Sequence, residues 1–158
     1  YAVVKNIGEV FCKTYKQEHN LDYTIFRLFN TYGPNQSMDF VVPRFIAAAK
    51  NNEDITIYGD GSQTRTFTYV DDTVDTLVKC MDENLGINES INVGSEHMVT
   101  VLQLAQIVVN LTNSKSKIVF LPPLKAGDMT RRQPDNAKMK KILGRELLTL
   151  AEGVKKLI

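Results

Sequence analysis

The chain has 158 residues, of which 43% are hydrophobic and 23% charged, and its 19 basic and 18 acidic side chains leave a net charge of +1. This composition is typical of a soluble globular protein with a core of ordinary size. Basic residues spread along a near-neutral chain argue against a nucleic-acid-binding surface, and no apolar run approaches the length of a membrane span.

The first predicted element is a helix over about residues 1–18, because its apolar residues recur at steps of three and four. Tyr1 and Lys5 then share one face, one turn apart. The ammonium can stabilise a phenolate there, so the pair can act as a general base toward an alcohol. Tyrosine and lysine at this spacing are also common on helices, and the alternative is a pair with no role in catalysis.

This helix begins at the first residue, without a start methionine or a capping residue before Tyr1. We therefore expect further residues upstream, which would make the chain the C-terminal part of a longer protein.

The cysteines and histidines predict neither a disulfide nor a metal site. His19 and His97 lack the spacing of metal ligands, and Cys12 and Cys80 form no Cys-x-x-Cys pair. Both cysteines fall in helical stretches, so we expect buried free thiols in a reducing, cytoplasmic compartment.

A buried strand over residues 22–29 follows the helix, since this stretch is rich in β-branched and aromatic residues. A helix followed closely by such a strand predicts one α/β unit of a parallel sheet. Asn30 comes directly after the strand, at the carboxyl end where parallel sheets bind ligands.

The remaining elements alternate in the same manner. A helix over 41–51 has Pro43 in its first turn, and strands over 55–58 and 66–70 flank a turn over 59–62. Asp71 or Asp72 is predicted to cap a helix over 73–82, and Thr100 one over 101–111. Strands over 90–93 and 117–120 and helices over 136–143 and 150–157 complete the chain.

Three arginines fall in predicted loops: Arg65 after a glycine-rich turn, and Arg131 and Arg132 before Pro134. Two guanidinium groups in one cleft would suit a diphosphate, because the arginine fork binds phosphate oxygens bidentately. The alternative is that each arginine is a solvated loop charge.

Four motifs occur in a fixed order: Tyr1-x-x-x-Lys5, Arg27-Leu-Phe-Asn30-Thr-Tyr-Gly-Pro34, the segment from Gly59 to Asp72, and the segment from Gly127 to Asp135 with Leu143-Gly144. In this order they resemble the extended short-chain dehydrogenase/reductases that act on nucleotide-sugars, the NAD-dependent epimerase/dehydratase family. Residues 63–72, 111–119 and 131–135 are most similar to the UDP-glucuronate decarboxylase branch, although the first of these segments also occurs in 4-epimerases and 4,6-dehydratases.

The resemblance implies a catalytic pair and a cofactor contact. Tyr1 corresponds to the base that removes the sugar 4-hydroxyl proton as hydride passes to NAD. Lys5 corresponds to the residue that favours its phenolate and holds the nicotinamide ribose, and Leu28 belongs with these two on the cofactor side.

The resemblance also implies a substrate site. Asn30 corresponds to a contact with the substrate diphosphate, Val42 and Pro43 to a segment along the nucleotide, and Tyr58 to a residue near the base. Arg65 and Arg132 correspond to diphosphate-binding arginines, and the neighbouring Arg131 leaves the second assignment open.

The fold that the resemblance implies is α/β: the C-terminal part of a doubly wound, Rossmann-like parallel sheet interleaved with a small α+β substrate-binding domain. Residues 1–31 and about 66–95 would belong to the NAD-binding domain, and about 32–65 and 96–158 to the nucleotide-sugar-binding domain. The glycine-rich dinucleotide fingerprint does not occur in the sequence. We expect a homodimer of the intact protein, with no nucleic-acid or membrane partner.

The function that follows is NAD-dependent modification of a UDP- or dTDP-linked sugar through a 4-keto intermediate, with decarboxylation of UDP-glucuronate to UDP-xylose as the expected reaction. A 4-epimerase or 4,6-dehydratase is the alternative among enzymes. A catalytically silent nucleotide-sugar-binding module and a structural domain without a ligand are the alternatives from other classes.

Overall fold

The computed structural model describes residues 1–123 and 133–158, in which helices and strands alternate. The helices are α1 (Ala2–His19), α2 (Val41–Lys50), α3 (Val70–Asp82), α4 (Val101–Thr112), α5 (Ala137–Leu143) and α6 (Leu150–Lys155). The strands are β1 (Thr24–Leu28), β2 (Thr31–Tyr32), β3 (Ile55–Tyr58), β4 (Thr64–Thr66), β5 (Thr68–Tyr69), β6 (Glu89–Val93), β7 (Met98–Thr100) and β8 (Ile118–Leu121).

The strands pair two by two, and three of the four described pairs are parallel. β1 pairs with β6, β2 with β5 and β3 with β8 in parallel, while β4 and β7 are antiparallel. Helices lie between the partners of each parallel pair along the chain, as parallel connections require. The predicted α/β class is therefore confirmed.

The larger hydrophobic core lies where α2, α4 and α6 pack together over β3. Phe45, Ile57 and Leu104 are among its most buried side chains. Thr100 begins α4 with a capping box, because its side chain accepts from Gln103 N–H while the Gln103 side chain accepts from Thr100 N–H. This cap confirms the predicted start of the helix.

A smaller core lies where α3 and α5 pack against β6. Its buried residues are Cys80, Ile91, Val93, Met139 and Leu143. Gly94 directly follows β6 and lies so close to Phe29 that a Cβ added to it would be 2.6 Å from the Phe29 Cβ. The ends of β1 and β6 are therefore tightly packed against each other.

Helix α1 differs from the others because none of its residues is buried. Its apolar residues form an exposed stripe, called here the α1 stripe: Val3, Val4, Ile7, Val10, Phe11 and Tyr15. Arg27 on β1 holds the helix by donating to both carboxylate oxygens of Glu9, at 2.7 and 2.5 Å, and this hydrogen bonding lowers the pKa of Glu9. Cys12 is exposed, so its predicted burial is wrong, because no described residue covers this part of α1.

The predicted start of α3 is also wrong. The helix begins at Val70 after Tyr69, and neither Asp71 nor Asp72 caps it. Asp72 is instead fully buried in the first turn, where it accepts hydrogen bonds from Arg145 Nη1 at 2.5 Å and from Leu148 N–H at 3.0 Å. Its carboxylate therefore joins α3 to the segment between α5 and α6.

Two further differences concern strands. The strand predicted over 66–70 is divided into β4 and β5, and β2 and β7 were not predicted, since two or three residues carry no measurable periodicity. Within the described ranges, none of the helices combines the length and the apolar content needed to cross a bilayer.

Candidate functional site

A cavity of about 360 Å³ lies beside the carboxyl end of β1. Four of the residues that the sequence predicts for the site line it: Leu28, Asn30, Val42 and Arg65. They come from the end of β1, the first turn of α2 and the middle of β4. The fold thus brings residues separated by up to 37 positions in the sequence to one concave surface, the kind of place where small molecules bind.

Asn30 adopts a left-handed backbone conformation, with φ at 39°, which asparagine tolerates better than most residues. Its side-chain Nδ2 donates to the Thr66 carbonyl at 2.9 Å, and its own carbonyl accepts from Thr68 N–H at 3.2 Å. The turn after β1 is therefore tied to the extended segment 64–69. The Asn30 amide has a second N–H, which can donate to a ligand oxygen.

Arg65 and Phe67 line the cavity together, whereas Thr66 and Thr68 are buried. Side chains of an extended segment alternate between its two faces, which accounts for this division. Arg65 Nη1 donates to the Thr64 carbonyl at 2.7 Å. The guanidinium thus brings a positive charge to the cavity.

The apolar part of the cavity comes from Phe40, Val41, Val42 and Phe67. Pro43 lies in the first turn of α2 as predicted, yet it is not among the lining residues. An apolar wall facing Asn30 and Arg65 is suited to a ligand with one flat or aliphatic part and one anionic part.

Tyr32 is a buried residue that lines the cavity, and its hydroxyl cannot serve as a general base. Burial raises the pKa of its hydroxyl, which donates to the Leu150 carbonyl at 3.3 Å. Its ring packs edge-on against Phe67, with 6.3 Å between ring centroids. Tyr32 is thus a neutral packing residue that supports the cavity wall.

Gln36 closes the cavity beside Thr31, to whose carbonyl its Nε2 donates at 3.0 Å. Its Oε1 is buried and has no hydrogen-bond partner among the described residues. A buried acceptor without a hydrogen-bond partner lowers the stability of the fold by about 1–3 kcal/mol relative to a hydrogen-bonded one.

Tyr1 and Lys5 lie one turn apart at the start of α1, as predicted, with Lys5 Nζ 5.4 Å from the centroid of the Tyr1 ring. Tyr1 is 93% exposed. Neither residue lines the cavity, so the structure keeps the predicted pair together but places it outside the surface formed by Asn30 and Arg65.

Two more predicted residues lie apart from the cavity. Tyr58 ends β3 and pairs in register with Leu121, next to a separate open cleft that includes Asp60 and Phe120. Arg132, with its neighbour Arg131, lies outside the described residues.

The three residues predicted to contact a nicotinamide cofactor, Tyr1, Lys5 and Leu28, are all exposed. The Tyr1 hydroxyl and the Lys5 ammonium are exposed donors, and Leu28 at the end of β1 presents an apolar surface that is 53% exposed. The sequence contains no Gly-x-Gly-x-x-Gly seat for a pyrophosphate. Over the described ranges no three His, Cys, Asp or Glu side chains cluster as metal ligands would.

Sequence reasoning missed Phe67, Gln36 and Phe40. The period-2 pattern of an extended segment carried a signal for Phe67, because it stands two residues after Arg65 and so shares its face. Gln36 and Phe40 lie in the loop before α2, where the sequence has no periodicity to indicate which way a side chain points.

Comparison with known proteins places these features in a family. The model of the "NAD dependent epimerase/dehydratase family" matches residues 1–94. The chain is 40% identical to UDP-glucuronic acid decarboxylase 1 of Danio rerio over 161 residues, covering 100% of the chain and 38% of that protein. It is 41% identical to UDP-N-acetyl-alpha-D-glucosaminuronate decarboxylase of Bacillus cytotoxicus, covering 90% of the chain and 46% of that protein.

Among solved structures, UDP-glucose 4-epimerase of Thermotoga maritima, determined with UDP-glucose, superimposes with a TM-score of 0.89 at 34% identity. The match covers 98% of the chain and 50% of that structure, so the chain spans half or less of the length of these proteins. A family match over residues 1–94, together with the parallel α/β fold, shows that this chain belongs to the NAD-dependent epimerase/dehydratase family of enzymes.

Proposed function

We propose that the intact protein modifies a nucleotide-sugar through a 4-keto intermediate, and that its reaction is the decarboxylation of UDP-glucuronate to UDP-xylose. The observation that carries the proposal is the cavity in which Asn30, Val42 and Arg65 meet beside the carboxyl end of β1. One cationic fork and one amide donor opposite an apolar wall have the chemistry that binds a diphosphate and the nucleoside next to it.

Within this function we propose a separate role for each predicted site residue. Arg65 and Asn30 bind the diphosphate, and Val42 and Pro43 accompany the nucleotide, with Tyr58 toward the base. For the domains we propose residues 1–31 and about 66–95 on the cofactor side and about 32–65 and 96–158 on the substrate side, with Asn30 and Phe67 of the first set also lining the cavity.

Tyr1 takes the proton of the sugar 4-hydroxyl, and Lys5 stabilises the phenolate and binds the nicotinamide ribose. Leu28 packs along the cofactor ring. Bound NAD would supply the hydride acceptor for C4 and later return the hydride. The role of the chain is to hold the hydroxyl, the ammonium and the sugar in one geometry.

Decarboxylation is the branch that we propose, because a ketone at C4 makes the C6 carboxylate part of a β-keto acid. The C5–C6 bond then breaks, carbon dioxide leaves, and the bonding electrons pass to C5 and the C4 oxygen. The two decarboxylases described above, which are similar to this chain, are named for uronic-acid nucleotides, and this supports the branch. The similar 4-epimerase keeps epimerisation as the alternative.

The reaction branch can be tested by incubating the intact protein with UDP-glucuronate and NAD. We expect release of carbon dioxide and formation of a UDP-pentose, detected by mass spectrometry of the product. A product of unchanged mass with inverted C4 would indicate an epimerase instead, and loss of water from a neutral nucleotide-hexose would indicate a dehydratase. Binding of UDP-glucuronate without any turnover would indicate a silent binding module.

The role of Arg65 is tested by Arg65→Ala in the intact protein. We expect UDP and the substrate to bind about 1.5–3 kcal/mol more weakly, since a charge-assisted hydrogen bond is lost. Arg44→Ala is the matched control, because Arg44 is exposed on α2, stacks near Phe45 and does not line the cavity. Isothermal titration with UDP compares the two, and equal affinities in both variants and the parent would remove Arg65 from the site.

A further inference from the structure

The Thr68 hydroxyl lies between the ends of two strands and has no role in the function proposed above. Thr68 is 1% exposed on β5, and its Oγ1 donates to the Phe29 carbonyl at 3.0 Å while it accepts from Ser95 N–H at 2.8 Å. Phe29 directly follows β1 and Ser95 lies two residues after β6. One buried hydroxyl thus bridges the backbone at the carboxyl ends of two paired parallel strands.

The same segment also holds Asn30. Thr68 N–H donates to the Asn30 carbonyl at 3.2 Å, and the Thr66 carbonyl accepts from Asn30 Nδ2 at 2.9 Å. Three hydrogen bonds therefore fix the turn after β1 to the strand segment that carries Arg65 and Phe67. The separation of Asn30 from Arg65 across the cavity depends on this attachment.

We propose that Thr68 is a positioning residue for nucleotide-sugar binding, and this rests on the function proposed for the cavity. Thr68 does not line the cavity and acts through Asn30 and the exit of β6. Without its hydroxyl, the buried Ser95 N–H loses its hydrogen-bond acceptor and the Phe29 carbonyl loses one donor, and both chain segments shift to recover hydrogen bonds. Asn30 then leaves the position at which it meets the diphosphate together with Arg65.

The test is Thr68→Val in the intact protein, because valine keeps the shape of threonine and removes only its hydroxyl. UDP affinity should fall about five- to tenfold, as expected for one net hydrogen bond lost to the ligand. The KM for UDP-glucuronate should rise by a similar factor with a smaller change in kcat, since the diphosphate lies away from the reacting carbon. Thr68→Ser keeps the hydroxyl and should restore UDP affinity to within about twofold of the parent.

Thr76→Val is the matched control. Thr76 is 0% exposed, and its Oγ1 donates to the Asp72 carbonyl at 2.7 Å within α3, away from the cavity. It should lose stability like Thr68→Val and keep the UDP affinity of the parent. If Thr68→Val does not fold, Thr68→Cys, whose thiol is only a weak donor and acceptor, gives the same comparison.

The outcomes separate the two proposals. A parent that binds UDP, together with a Thr68→Val variant that binds it equally well, would overturn the positioning role alone. So would a Thr76→Val variant that loses as much UDP affinity as Thr68→Val, because the effect would then be general destabilisation. A parent that binds no UDP would overturn the proposed function and, with it, the positioning role.

Discussion

Replacing Tyr1 by phenylalanine should reduce the turnover of the intact enzyme by about 10²–10⁴-fold, the range for a general base acting in the transition state. Binding of the nucleotide-sugar should hardly change, because the hydroxyl is proposed to act on a proton and not to hold the substrate. The effect is thus expected in kcat, while the UDP dissociation constant stays that of the parent.

Tyr15→Phe is the matched control for this change. Tyr15 lies on the same helix and is also exposed, and its ring contacts His19 at the far end of α1 from Lys5. Steady-state kinetics on both variants, with UDP titrations alongside, decide the matter. A Tyr1→Phe enzyme with turnover close to that of the parent would refute the catalytic assignment, and equal losses in both variants would trace the effect to the helix as a whole.

Asp72→Asn should lower the free energy of unfolding by about 3 kcal/mol, the low end of the range for a buried ion pair that loses one partner. The Asp72 side chain is 0% exposed, whereas that of Arg145 is 40% exposed, and this partial exposure places the expected cost at the low end. The amide also turns one acceptor oxygen into a donor that faces either Arg145 or Leu148 N–H, both of which are donors themselves.

Asp75→Asn provides the comparison, because Asp75 contacts the same arginine at 2.5 Å but is 51% exposed. Losing the Asp75–Arg145 pair should lower the free energy of unfolding by less than about 1 kcal/mol, the range for exposed ion pairs. Urea denaturation of the two variants measures the difference. If both changes cost equally little, the buried carboxylate would not be the link between α3 and the segment before α6.

Thr100 and Asp72 show which helix starts could be predicted from the sequence and which could not. Thr100 begins α4 as predicted because its capping partner, Gln103, stands three residues away and can be read locally. Asp72 was predicted to cap α3, but its partner Arg145 is 73 residues distant. An aspartate before an apolar stretch can either cap a helix or form a buried ion pair, and only the tertiary structure shows which of the two it does.

For the site, the motifs named Asn30, Arg65 and Val42, and the structure shows that these three residues line one cavity. That ligands bind there, at the carboxyl end of a parallel strand, stays a prediction. The sequence had no means of showing that the Phe67 ring packs edge-on against Tyr32, because that contact is made only in the folded chain.

The exposed α1 stripe has a consequence for local stability. Because the described residues bury no α1 side chain, unfolding this helix exposes little new apolar surface and breaks mainly its own hydrogen bonds and the Glu9–Arg27 and Lys16–Asp22 pairs. A helix of 18 residues is marginal without tertiary packing, and its ends open first. Tyr1 and Lys5 are at such an end, whereas the role proposed for them requires a general base held to within a fraction of an ångström. Under this proposal, a surface that packs against the α1 stripe would also order the Tyr1 hydroxyl and the Lys5 ammonium, so we expect activity and the stability of α1 to rise together.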